Sequence, residues 1–257
     1  MSDQTILDWQ TVQQITQNEN ACFTVTTDGD IEKIQAFSEE FNRLYSLMPV
    51  EKPSAPKRKP AKKGKRRIVQ DAAPTMLISA IPMHRIKDTT PQLDTKEKIR
   101  AAGKIKGTVL DTATGLGYTA IAAAQTATSV TTIELDSVAL EICRQNPWSQ
   151  PLFDDPKITQ EIGDSFDVVE TLDNDSFDVI IHDPPMFSMA GHLYSADFYA
   201  ELLRVLRPKS TLFHYIGNPE SKSGRNTTKG VLARIADVGF VQIRPQPRAF
   251  GITAQKP

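Results

Sequence analysis

The chain has only two cysteines in 257 residues, Cys22 and Cys143, together with four histidines and a net charge of −1. Two thiols make no disulfide framework and, by themselves, no zinc site. His182, His192 and His214 are not spaced as metal ligands, so no metal is expected. No window is apolar and long enough to span a membrane, and the first residues lack the apolar run of a signal peptide. A cytoplasmic location with no membrane partner is therefore expected. A net charge near zero names no partner either. What is present is a 39% hydrophobic chain, enough for one sizeable core with a small appendage.

Residues 1–50 read as a small separate N-terminal unit. Ile31, Ile34, Phe37, Phe41, Leu44, Tyr45 and Met48 recur at helical spacing, which predicts an amphipathic helix over roughly 31–48. The preceding "CFTVTTDGD" reads as a short strand and a turn. Residues 51–69 open with "EKPSAPKRKPAKKGKRR", rich in Pro, Ala and basic side chains and without an apolar anchor. That composition predicts an extended or disordered linker.

From residue 70 to 257 the texture changes. "TMLISAI" is a plausible strand, and "TPQLDTKEKIRAAG" a helix with Asp94 as candidate N-cap and Gly103 as candidate C-cap. Strands and helices then alternate: "GTVLDTA", "GYTAIAAAQTA", "VTTIELD", "SVALEICRQN", "ITQEIGD", "DVIIHD", "SADFYAELLRVLRP", "STLFHYIG" and "TTKGVLARIADVG". Such alternation predicts an α/β, doubly wound and mostly parallel sheet covered on both faces. "FVQIRPQP" and "AFGITAQ" end the chain with no room for a crossover helix, so they form an antiparallel hairpin.

"VLDTATGLGYTAI" puts small residues where a strand turns into a helix. Gly115 and Gly117 allow a tight turn and close approach of a ligand. An ordinary strand–helix turn has the same look, but two acids follow it. Glu134 ends the next strand, where a carboxylate can accept both hydroxyls of a ribose. Asp164 follows the third strand, placed to accept from an adenine amino group. Asp111 argues against a dinucleotide, because a carboxylate there would repel a pyrophosphate. It suits a ligand with an ammonium or sulfonium charge, and S-adenosylmethionine has both and no phosphate.

From about residue 75 to 254 the chain resembles the class I, Rossmann-like SAM-dependent methyltransferases. "VLDTATGLGYTAI" looks like the family's first motif, "TTIELD" its second and "IGDSFD" its third. The resemblance implies a seven-stranded sheet with a reversed last strand; the strand and helix read in residues 1–50 add a small N-terminal α+β appendage. It implies S-adenosyl-L-methionine as cofactor, held by Asp111, Thr112, Ala113, Thr114, Gly115, Gly117, Tyr118, Glu134, Leu135, Asp164 and Ser165. Ala113 departs from the glycine common in the family and implies a slightly different loop.

"DVIIHDPPMF" runs an apolar strand into an acid and two prolines. In a doubly wound sheet, ligands sit beyond the carboxyl ends of strands where strand order reverses. That placement puts Asp183 beside the reacting methyl. Pro184 and Pro185 make a stiff rim presenting only carbonyl acceptors. An acid and a carbonyl can hold both N–H groups of a planar amine and leave its lone pair facing the methyl. The stretch resembles the (D/N/S)PP(Y/F/W) motif of amino methyltransferases acting on bases or glutamine, but departs from it in having Met186 where an aromatic would stack on the acceptor, with Phe187 one place later. These enzymes would use Asp183, Pro184 and Pro185 as catalytic residues.

"LYSADFYAELLRVLRPKSTLF" also looks like the corresponding segment of spermidine synthases, which use decarboxylated SAM. "HDPPMFSMAGHLYSADFY" is similar to a group of mainly archaeal methyltransferases with a DPP motif. In that group a segment like "MHRIKDTTPQLDTKEKIRAAG" precedes the first motif, which implies that His84 and Arg85 lie near the site. Tyr194 is a candidate for the acceptor pocket or for the core. The basic run at 57–67 can contact phosphates or simply solubilise the chain. Two activities are therefore expected to compete: methylation of an exocyclic amine, RNA being the leading partner, and transfer to a small amine or polyamine.

Overall fold

The computed structural model describes residue 15 and residues 20–51 and 72–257. Four short strands come first: β1 (Phe23–Val25), β2 (Ile31–Lys33), β3 (Gln35–Ser38) and β4 (Arg43–Met48). After residue 71 come β5 (Thr75–Ile78), β6 (Ile81–Pro82) and α1 (Pro91–Ala102). The alternating region follows as β7 (Thr108–Asp111), α2 (Tyr118–Ala124), β8 (Ser129–Glu134), α3 (Ser137–Arg144), α4 (Pro151–Asp154), β9 (Ile158–Ile162), α5 (Ser165–Glu170) and β10 (Phe177–His182). It closes with α6 (Ala196–Val205), β11 (Leu206–Tyr215), α7 (Lys222–Asp237), β12 (Val241–Gln246) and β13 (Gly251–Gln255).

Seven strands form the central sheet in the order β12-β13-β11-β10-β7-β8-β9. The neighbours from β11 through β9 are parallel, and β13 is antiparallel to both β11 and β12. Val109 and Leu110 of β7 and Val179, Ile180 and Ile181 of β10 are all buried, as expected of strands covered on both faces. The doubly wound, mostly parallel sheet with its reversed terminal hairpin is the architecture expected from the strand–helix alternation. Among the described residues no helix is long and apolar enough to cross a membrane.

The helix expected over 31–48 does not form; β2, β3 and β4 occupy that span. In β4, Tyr45 and Leu47 are 1% and 2% exposed while Leu44 is 43% exposed, a period of two. The apparent helical spacing came from reading across the turn between β3 and β4, where Asn42 takes φ 49°. A window that spans a hairpin adds two strand phases together and imitates a longer period.

The expected separation of residues 1–50 from the main domain is corrected as well. β4 pairs antiparallel with β5, Tyr45 opposite Ile78 and Leu47 opposite Met76, so one four-stranded sheet draws on both sides of residues 52–71. Ile34, Tyr45, Leu47, Met76 and Ile78 share a core with Val109, Leu116, Tyr118 and Ile142 of the main domain. The expected linker falls almost wholly in residues 52–71, outside the described residues, as does the basic run at 57–67.

Helix α1 positions the site and starts one turn earlier than expected. Thr90, not Asp94, is its N-cap: the Thr90 hydroxyl accepts from Leu93 N at 3.3 Å, and Pro91 follows as the first helical residue. Asp94 is thereby carried into the helix and buried. Gly103 ends the helix at φ 89°, as expected of a C-cap glycine.

The shared core gives a direct expectation. Leu47→Ala, although in the first fifth of the chain, should destabilise the main domain by about 2–5 kcal/mol, the range for a buried leucine deletion. Urea unfolding followed at the two tryptophans checks this; an unchanged midpoint would mean that the first sheet stands apart.

Candidate active site

Strand register builds the site. Asp111 of β7 lies opposite Ile181 of β10 and Thr132 of β8. Two residues further on, the three chains reach Ala113, Asp183 and Glu134, which therefore stand level at the carboxyl edge of the sheet. Between β7 and β10 the winding changes direction, the place where such sheets bind ligands. A cleft opens there, about 1040 Å³ with the solvent space at its mouth included.

The cleft is lined by Thr112, Ala113, Thr114, Gly115, Tyr118, Glu134, Leu135, Asp164 and Ser165. Gly115 takes φ 51° and its N–H donates to Glu134 Oε2 at 2.9 Å, while Asp136 N donates to Oε1 at 3.3 Å. These two bonds fix the carboxylate at the strand end. Burial pushes the Glu134 pKa up to about 7, and the backbone donors only partly oppose it. Asp164 caps α5 by accepting from Phe166 N at 2.8 Å and faces His192 Nε2 at 2.9 Å. Ser165 Oγ donates to Thr112 O and so ties the third strand's end to the first.

Asp111 and Gly117 are placed differently from the expectation. Asp111 lies beneath the loop, fully buried, with Oδ2 accepting from Thr119 and Thr132 hydroxyls at 3.0 and 3.2 Å. Burial pushes its pKa up to about 8. Its Oδ1 is buried and has no hydrogen-bond partner among the described residues. Gly117, at φ 74°, is needed for packing: a Cβ there would come within 2.9 Å of the Leu152 side chain.

Asp183, Pro184, Pro185 and His84 line the cleft as well, the His84 ring centroid 5.1 Å from that of Tyr118. His84 is held by the Thr75 hydroxyl at 3.0 Å, and burial followed by the nearby Lys98 charge lowers its pKa to about 3, so the ring is neutral. Four candidates stand outside the lining. Tyr194 is buried and donates its hydroxyl to Pro185 O at 3.0 Å, a support beneath the rim, because the apolar core takes its ring. Met186 and Phe187 lie on the rim, each 50% exposed. Arg85 turns away to pair with Asp94 at 3.0 Å, and its guanidinium lies 4.0 Å from the Phe250 ring centroid.

One central group escaped the sequence reading. Lys98 of α1 is 3% exposed and reaches Asp183 Oδ2 at 2.6 Å and Asp94 Oδ2 at 2.9 Å. Burial opposes its charge, but Asp183 and Asp94 outweigh that and hold its pKa above the ordinary lysine value. Burial raises the Asp183 pKa, with Lys98 acting in the other direction. Asp94 and Lys98 are four apart on a helix, which in sequence looks like a common surface pair. Arg43 of β4 and His192 also line the cleft. No short motif marks them; strand pairing and a loop bring them there.

The donor set fits a nucleoside carrying a positive charge. Three acids, Glu134, Asp164 and Asp183, line the cleft, and Asp111 lies buried below it. Hydroxyls, an amino group and a sulfonium suit such acceptors; a pyrophosphate does not.

The model of the spermine/spermidine synthase domain matches residues 111–245, and the chain belongs to that family. An uncharacterized protein of Methanocaldococcus jannaschii is 47% identical over 193 residues, 74% of this chain and 67% of that one. Among solved structures, the spermidine synthase of Thermotoga maritima covers 93% of this chain and 79% of its own, with 18% identity and a TM-score of 0.63. A spermidine synthase in complex with the transition-state analogue AdoDATO covers 93% and 80%, again at 18% identity, with a TM-score of 0.66. At that identity the likeness shows the fold, a Rossmann-like α/β sheet with added N-terminal strands.

The two buried acids make stability depend on pH. Their pKa values rise from 3.8 to about 8 for Asp111 and from 4.5 to about 7 for Glu134 on folding. The unfolded chain thus loses these protons first as pH rises. The stability they contribute is complete below about pH 4 and is lost as pH rises through about 7 to 8. In urea titrations of the ligand-free chain, Asp111→Asn should flatten the decline between about pH 5 and 8 by a few kcal/mol. A parallel decline in the variant would contradict the assignment.

Proposed function

We propose that the chain transfers the methyl group of S-adenosylmethionine to a nitrogen, with an exocyclic amine of an RNA base as the acceptor. The observation that carries this reading is the level placement of Glu134 and Asp183 along one cleft, one acid suited to a ribose and the other to an amine. When bound, the cofactor supplies a methyl carbon activated by a sulfonium. Everything else falls to the chain. Glu134 accepts the ribose hydroxyls and Asp164 the adenine amino group. Asp183 takes an N–H of the acceptor on Oδ1, which among the described residues accepts no hydrogen bond. The stiff Pro184-Pro185 rim, braced by the Tyr194 hydroxyl, keeps the carboxylate aimed. The amine lone pair then faces the donor end of the cleft, and proximity and orientation contribute most of the rate. As the new bond forms, the amine proton passes to Asp183. Half-exposed Met186 and Phe187 offer an apolar shelf for a base beside the cleft, and the basic run at 57–67 supplies phosphate contacts.

A second reading, transfer of an aminopropyl group to a small amine, is favoured by the family match and by the fold shared with spermidine synthases over 93% of the chain. Calorimetry with S-adenosylmethionine and with its decarboxylated form separates the two. Tighter binding of the decarboxylated form overturns the methyl-transfer reading. Labelled methyl incorporation into total RNA, set against a metabolite extract, tests the acceptor.

Two variants divide the roles. Asp183→Asn should lower kcat by roughly 10²–10⁴-fold, the scale of lost general-base catalysis, with cofactor affinity nearly kept. Glu134→Gln should weaken cofactor binding by roughly 10–100-fold, the worth of a charged hydrogen bond, with little effect on kcat at saturation. Exchange of the two phenotypes would overturn the assignment.

A further inference from the structure

The acceptor end of the cleft contains an ammonium cage that is filled from within the chain. Lys98 Nζ lies 2.6 Å from Asp183 Oδ2, 2.9 Å from Asp94 Oδ2 and 4.4 Å from the centroid of the Tyr215 ring. Two carboxylates and an aromatic face are the groups that recognise a primary ammonium. The lysine stem enters from α1, and the side chain is 3% exposed, so the head group does not swing in bulk water. Arg85 pairs with the other oxygen of Asp94 at 3.0 Å. The set therefore holds two positive and two negative side chains, Asp94 and Lys98 buried and Arg85 and Asp183 partly so, with no carboxylate charge left over for a second cation. His84, beside the cage, carries no charge at neutral pH.

We propose that Lys98 determines acceptor specificity: by occupying this cage it excludes aliphatic diamines and restricts the acceptor to neutral, planar amines. The inference rests on the transfer reading of the cleft and narrows its substrate class. A diammonium ion entering beside Asp183 meets a cage already filled and a like charge at close range. A neutral amine needs only the remaining Asp183 oxygen. Lys98 is thus a positioning residue, acting through Asp183.

The test needs no transfer activity. Lys98→Ala in the full chain should lower the melting temperature, because Asp183 is left buried without its cation. Propylammonium chloride, which replaces the missing three-carbon stem and head group, should restore much of the loss. Tetramethylammonium chloride and sodium chloride at equal ionic strength should not, since neither donates a hydrogen bond. In calorimetry the variant should bind butane-1,4-diamine at least roughly tenfold more tightly than the wild type, the scale of removing a like-charge contact. Should Lys98→Ala not fold, Lys98→Met keeps the stem's packing, and methylammonium becomes the probe. Absence of selective recovery in the folded variant overturns the proposal. So does saturable diamine binding by the wild type, which is decisive even if neither variant folds. Either result leaves cofactor binding and methyl transfer untouched, so the proposal can fail while the transfer reading stands.

Discussion

A buried line of alternating charge, Arg85–Asp94–Lys98–Asp183, runs from the segment before the main sheet to the end of its central strand. Burying charges is costly, and the line is tolerable only because each member has an opposite partner at hydrogen-bonding distance. Removing either inner member, Asp94 or Lys98, leaves an end member of the line without its partner. Its geometry also reaches the far end of the chain: Arg85 donates to Arg248 O at 3.0 Å and covers Phe250 next to the terminal hairpin. The same contacts that fix α1 over the sheet therefore fix Asp183 at the mouth of the cleft. Fold stability and placement of the acid are one constraint.

Much of this was legible from residues. Alternating apolar strands and helices, with no crossover segment between the last two strands, are enough to specify the parallel sheet and its reversed end. Acids at the ends of successive strands mark a binding edge, because a parallel sheet with regular register brings equivalent strand ends level. Two things were hidden, for different reasons. The hairpin at 35–48 imitates a helix because a period is only meaningful within one element. Lys98 is hidden because α1 buries a polar face: Asp94, Thr95 and Lys98 point inward while Leu93 is 50% exposed. Hydrophobic patterning reads such a helix inside out.

The spermidine synthase fold supplies this chain with a scaffold in which one sheet edge gathers carboxylates. Those carboxylates are engaged in two different ways. Glu134 is held by backbone N–H groups alone and keeps a raised pKa near 7. Asp183 is instead engaged by a side-chain cation. The first arrangement suits hydroxyls, the second a single uncharged N–H.

The most direct measurement is a crystal structure with sinefungin, which carries an amine where S-adenosylmethionine carries its methylsulfonium. The ribose should hydrogen-bond to Glu134, the adenine amino group to Asp164, and the amine should lie at the Asp183 end of the cleft. An empty cleft, or a nucleoside bound in the opposite sense with its base against Asp183, would contradict the account.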